Sequence, residues 1–113
     1  MHYYQHHIGD FIRDTANLNE HQLATYLRMI WAYYDTEKPI TGSYEDIAFA
    51  MRSDEKTVRL LLRHYFQEHD DGWRHARCDR VLNEYREKSD KARKSASARW
   101  SNANALPTQS ERN

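Results

Sequence analysis

The sequence predicts a mainly α-helical chain carrying one small β-hairpin. Three observations predict it. Pro and Gly are scarce, two and three among 113 residues, so helices meet few breakers. From Asn19 onward apolar residues recur at three- and four-residue steps, the period of a helix with one buried face. Asp71-Gly72 lies between two short runs, around Phe66 and Trp73, and Asp-Gly there is a hairpin signal because both turn residues must accept positive φ.

Tyr3, Tyr4, Ile8, Phe11 and Ile12 surround Gly9-Asp10 and read as an irregular covering segment with a short helix near Phe11. Asn19 and Gln22 form a capping box for the next helix. Leu23, Tyr26, Leu27, Ile30, Trp31 and Tyr34 make its inward stripe. It should end near Asp35–Glu37, because Pro39 disfavours α conformation at Lys38. Thr41-Gly42 then turns the chain into a short helix capped by Ser43, with Ile47, Ala48 and Met51 facing in.

A further helix follows Arg52, with Ser53 as cap and two acids in its first turn. Val58, Leu61, Leu62, Tyr65 and Phe66 point inward, leaving Lys56, Arg59 and Arg63 outside. The hairpin strands fall at Phe66–Glu68 and Trp73–Arg77, with Trp73 and His75 facing in. Helix, turn, helix and hairpin in that order outline a winged-helix-like domain. From Asp79 a long helical pattern begins with Val81, Leu82 and Tyr85. Its apolar stripe then stops, and Lys88, Lys91, Arg93, Lys94 and Arg99 lie all round the cylinder. The expected organisation is a winged-helix-like domain over 1–86, a long basic C-terminal helix continuing over 87–100, and a disordered tail or linker over 101–113.

Fourteen Phe, Trp and Tyr residues imply a packed core. The net charge is zero, but it is unevenly spread. Met1 to Trp73 carries seven Lys and Arg against twelve Asp and Glu; Arg74 to Asn113 carries ten against five. Such asymmetry suits an anionic partner for the second half, or neutralisation of one half by the other within or between copies. One cysteine, Cys78, excludes an internal disulfide. No apolar run approaches a membrane span and the N-terminus lacks a signal-peptide pattern, so a cytoplasmic protein without a membrane partner is expected.

Two groups of residues carry the functional expectation. In a helix-turn-helix the second helix presents its N-terminal residues to the major groove. Here these are Lys56, Arg59 and Arg63, with Arg52 in the turn. Asp54 and Glu55 at the head repel phosphate, so a solvated helix face fits the same residues. The second group is Lys88, Lys91, Arg93, Lys94, Arg99 and Trp100, which suit a nucleic-acid backbone and a stacked base. A solvated helix with Glu84–Lys88 and Glu87–Lys91 pairs is the plain alternative. The hairpin tip carries Glu68, His69, Asp70 and Asp71, which argues against a wing that grips DNA.

No enzyme is expected. The chain has no Gly-rich phosphate loop, no nucleophile elbow and no HExxH. His75 and Cys78 offer two zinc ligands with no second pair, so neither metal nor cofactor is expected. Arg74, Arg77 and Arg80 around Cys78 favour a lowered thiol pKa; burial at the strand end favours an inert thiol.

Several ordered motifs carry a family resemblance: YYQHHIGDFIRDT at Tyr3–Thr15, TYLRMIWAYYDTEKP at Thr25–Pro39, WRHARCDR at Trp73–Arg80 and ARKSASARW at Ala92–Trp100. Together they resemble the YdaU-type family of prophage proteins, a family of unknown function, over residues 2 to 100. Its members resemble the N-terminal part of phage replication-initiation proteins, often encoded beside a helicase loader. The resemblance implies a replication-linked adaptor; taken with the basic segment and the charge asymmetry, the expected partners are DNA, a helicase loader or replicative helicase, or another copy of the chain. It brings no catalytic residues. It also implies that related chains continue beyond an SNANA-type linker.

Overall fold

The computed structural model describes residues 7–105. Expectations placed on Tyr3, Tyr4 and the tail beyond 105 lie outside the described residues. Among the described residues are five helices and one two-stranded antiparallel hairpin: α1 Ile8–Asp14, α2 Glu20–Thr36, α3 Tyr44–Ala50, α4 Glu55–Tyr65, β1 Gln67–His69, β2 Gly72–Arg74 and α5 Ala76–Ala105. The chain divides after Leu82 into two compact units.

In the first unit, α2 starts on the expected capping box. Asn19 Oδ1 accepts the Gln22 N–H at 2.8 Å and Gln22 Oε1 accepts the Asn19 N–H at 2.9 Å. The helix stops at Thr36, and Glu37 takes a left-handed φ of 58° two residues before Pro39. Its buried face differs from the expected stripe. Thr25, Tyr26, Met29, Ile30, Tyr33 and Tyr34 are buried, while Leu23 and Leu27 are half-buried and Trp31 is exposed. The reason is polar. Tyr26, Tyr33 and Thr25 each find an internal hydrogen-bond partner, so their burial leaves no hydroxyl stranded.

Ser43 Oγ caps α3 by accepting the Asp46 N–H at 3.1 Å. Ile47, Ala48 and Met51 are buried there, as are Val58, Leu61 and Leu62 on α4. Asp54, not Ser53, caps α4. Its Oδ2 accepts the Thr57 N–H at 2.9 Å and its Oδ1 the Thr57 hydroxyl at 2.9 Å. From position 54 the carboxylate reaches both Thr57 donors and takes the cap. Ser53 turns back instead: its N–H donates to the Ala48 carbonyl at 2.8 Å and its Oγ accepts from Thr25 Oγ1 at 2.9 Å.

The first hairpin strand is shifted by one residue from the expected Phe66–Glu68, and the second is shorter than the expected Trp73–Arg77. Gln67 pairs with Arg74, Glu68 with Trp73 and His69 with Gly72, so Asp70 and Asp71 form the turn. Gly72 therefore lies in the strand, with φ 129°. Its small size serves a third backbone segment. Trp73 N–H donates to the Ile40 carbonyl at 2.7 Å and Ile40 N–H to the Trp73 carbonyl at 3.0 Å. A Cβ on Gly72 would stand 2.6 Å from that Ile40 oxygen.

Helix α5 begins at Ala76 rather than Asp79, because His75 caps it. Its Nδ1 accepts the Cys78 N–H at 3.2 Å and its carbonyl accepts the Asp79 N–H at 2.9 Å. Cys78 and Leu82 complete the core. In the second unit, every residue from Asn83 to Ser101 is exposed.

Candidate nucleic-acid interface

On α4, Lys56, Arg59 and Arg63 are exposed, and Arg52 lies in the preceding turn with a left-handed φ of 56°. Successive steps of three and four residues align the α4 cations on one face. They are not equally available. The Arg59 guanidinium sits 4.2 Å over the Tyr44 ring and 3.8 Å from Glu55. The head of the helix is anionic. Hydrogen bonds from the Thr57 backbone, from His21 and from the Thr57 hydroxyl hold the Asp54 carboxyl down at about 2, so it is charged at neutral pH. The α4 face thus offers Lys56 and Arg63 to an anion beside a fixed negative charge.

The hairpin is acidic. Glu68, His69, Asp70 and Asp71 line a shallow hollow of about 300 Å³ with Ile40, Gly42 and Trp73. Asp71 pairs with Arg74 at 2.5 Å, and that guanidinium also reaches Asp79 at 3.2 Å. Arg74 is committed to neutralising the hairpin and α5.

The second unit has the opposite electrostatics. Asn83 to Ala105 holds six Lys and Arg against three Asp and Glu, and beyond Asp90 no carboxylate occurs in the helix. Lys88, Lys91, Lys94 and Arg99 have no ion-pair partner among the described residues, and Arg93 is paired with Asp90. The Glu84–Lys88 and Glu87–Lys91 pairs of the plain solvated-helix alternative do not form among the described residues. Trp100 is 69% exposed.

Two polar clusters leave no local mark in the sequence, because the partners they join across elements are 32 to 49 residues apart. The first joins His21, Ser53 and Asp54. His21 Nε2 lies 2.8 Å from Asp54 Oδ1 and 3.2 Å from Ser53 Oγ. A nucleophile relay needs the acid and the hydroxyl on opposite ring nitrogens. Here both approach the same nitrogen, and Asp54 is occupied as a helix cap, so the cluster fastens α2 to the start of α4. The second cluster is buried. Tyr26 Oη meets His75 Nε2 at 2.8 Å, and Tyr33 Oη donates to Asp79 Oδ1 at 2.5 Å while accepting the His75 N–H at 3.3 Å. Burial depresses His75 to about 4 and pushes the Cys78 thiol up to about 12. Cys78 is therefore the inert thiol of the two alternatives.

Among the described residues no group of three or more His, Cys, Asp and Glu is placed to hold a metal ion, and no helix is long and apolar enough to cross a membrane. Fold and surface together define a small, mainly helical domain with a hairpin, followed by an exposed helical segment rich in cations. The chain belongs to the family described as "Protein of unknown function (DUF1376)", whose model matches residues 2–83. It is similar to the "Uncharacterized protein YdaU" of Escherichia coli (strain K12), with 31% identity over 117 residues. That match covers 98% of this chain and 41% of the relative, so the chain spans about two fifths of the length of the curated relative it matches. No solved structure matches the chain.

Proposed function

We propose that this chain is a non-enzymatic nucleic-acid-binding module of winged-helix type, belonging to a replication-initiation protein of prophage origin. The observation that supports this most is the run from Lys91 to Ser101: helical, fully exposed, with Lys91, Arg93, Lys94 and Arg99 as its charges and Trp100 beside them. A polyanion supplies what this segment lacks, by releasing its counterions to solution as the cations engage phosphate. Lys56 and Arg63 on α4, with Arg52, contribute orientation, and the acidic hairpin stays off the backbone.

Fluorescence anisotropy against salt tests this. The K91A/R93A/K94A variant is expected to bind every sequence more weakly. Its log–log salt slope should be flatter by up to about three units, near 0.9 for each phosphate no longer neutralised. An unchanged slope removes the basic segment from the binding role.

A second reading is favoured by Phe49, 87% exposed on α3. An aromatic so placed suits a protein partner, whether a helicase loader, a replicative helicase or another copy of the chain. Light scattering at low and high salt separates these outcomes: a monomeric mass at both removes self-association.

A further inference from the structure

Resting on the nucleic-acid reading, we infer that the hollow between the α1–α2 connection and α4 takes one unpaired base of a single strand, with Lys56 and Arg63 on the phosphates either side of it. The hollow measures about 330 Å³, at the small end of the range of about 300–1,000 Å³ for small-ligand sites. Leu18 and Leu60, both packed against the core, supply its apolar wall. Asn17, Gln22, His64 and Tyr65 supply its polar groups. No carboxylate lines it, whereas Glu68, Asp70 and Asp71 line the hollow at the hairpin. A phosphate-bearing ligand is therefore admitted here and repelled there.

The walls are held in place by the protein itself. The Tyr65 ring lies against Tyr26 with centroids 4.5 Å apart, and its hydroxyl donates to the Asp14 carbonyl at 2.6 Å. Gln22 Oε1 accepts the Asn19 N–H at 2.9 Å, which leaves its amide nitrogen as the donor. Asn17 and His64 are exposed, and no hydrogen bond engages their side chains among the described residues. Such a mixture of donors and acceptors matches the edge of a base, which carries both. The cations fit the same ligand. Lys56 lies four residues before Leu60 and Arg63 three after it, so both share the side of α4 that carries Leu60. Both are exposed and have no ion-pair partner among the described residues. Cations before and after Leu60 suit a base with a phosphate on each side, as within a strand, rather than a free nucleotide. A duplex delivers a base to such a hollow only by unpairing and unstacking it, a cost that a single strand is spared.

Fluorescence anisotropy with the full chain tests this on three labelled probes: a DNA strand of about 15 nucleotides, the same strand with abasic sites in place of its bases, and the blunt duplex. The abasic strand keeps its phosphates and so keeps the counterion release. The intact strand is expected to bind about tenfold tighter than the abasic one, the scale of one base contact. In the N17A/H64A variant, with helix content checked by circular dichroism, the intact-to-abasic affinity ratio should fall about threefold or more, the loss of one or two neutral hydrogen bonds. The intact-to-duplex ratio should fall by the same factor. Equal binding of the intact and abasic strands overturns the base site but leaves the nucleic-acid reading standing. An intact-to-abasic ratio that the variant keeps places the base contact elsewhere, Trp100 included, and overturns it too. An intact-to-duplex ratio that the variant keeps overturns the single-strand assignment. Failure of all three probes to bind removes both readings.

Discussion

Tyr26 and His75, forty-nine positions apart, meet in the core with the phenol oxygen 2.8 Å from the imidazole Nε2. The other ring nitrogen accepts the Cys78 N–H at the start of α5. Nδ1 therefore carries no proton, and neutral His75 is the Nε2–H tautomer, donating to Tyr26. One imidazole thus caps a helix and anchors it to α2.

That arrangement makes stability depend on pH. His75 is depressed from 6.5 to about 4, chiefly by burial and further by Arg77. The folded state binds the proton less readily than the unfolded chain. The contribution of neutral His75 is fully present above 6.5 and is lost as pH falls toward 4. By pH 5 the loss is about 2 kcal/mol. The carboxyls of Asp54, Asp10 and Asp71 are lowered below 3.8, so their loss comes at lower pH. Urea denaturation at pH 7.5 and 5.0 should show this drop, and His75→Gln should largely abolish the difference between the two pH values. An identical drop in that variant assigns the acid sensitivity elsewhere.

Tyr26→Phe leaves the His75 Nε2–H buried without its acceptor. The expected cost is about 1–3 kcal/mol, the penalty of a stranded donor rather than of a broken surface bond. The aromatic packing of residue 26 on Phe11, Tyr65 and Phe66 is retained, so a larger cost would mean that the ring itself had moved. Chemical denaturation at pH 7.5 measures it.

Gly72→Ala is expected to destabilise more than a typical surface change. The residue has φ 129°, and the new Cβ would meet the Ile40 carbonyl at 2.6 Å and Thr41 Cγ2 at 2.8 Å. Strain at such a φ costs of the order of 1–3 kcal/mol before the clash is counted. The segment must withdraw, breaking the two hydrogen bonds between Ile40 and Trp73. Loss of exchange protection at the Ile40 and Trp73 amides, with α2 still protected, is the expected signature. A variant as stable as the parent would show that the segment shifts without cost.

Much of this fold is legible in the sequence because local signals agree with it. The Asn19–Gln22 box, the Ser43 cap, the stop before Pro39 and the buried faces of α3 and α4 all rest on residues within a few positions of one another. What is not legible depends on distant partners. Nothing near Tyr33 announces Asp79, and nothing near His21 announces Ser53 and Asp54. Trp31 looks like a core residue by period, yet the tyrosines that find polar partners inside take the buried face instead. Gly72 has the look of a turn glycine, because the approach of Ile40 leaves no mark on the local sequence. On the candidate interface, the cations of α4 are legible by spacing, but the stacking of Arg59 on Tyr44 is not.

Helix α1 has no buried residue of its own, and contacts with the described residues hold it. The Phe11 ring stacks on Tyr26 with centroids 6.0 Å apart, Tyr65 Oη donates to the Asp14 carbonyl at 2.6 Å, and Arg77 reaches the Asp14 carboxylate at 2.8 Å. Seven residues cannot hold a helix alone in water, so α1 exists only while docked. The ion pair is partly exposed and contributes little; the half-buried Phe11 ring is the principal anchor. Phe11→Ala should therefore cost about 1–2 kcal/mol and act locally. Amides of residues 11–15 should exchange faster by a similar factor, while those of α2 and α4 keep their protection relative to the global transition. Equal acceleration across all helices would mean that α1 opens only with the whole domain, making it part of the cooperative core rather than a cover laid over it.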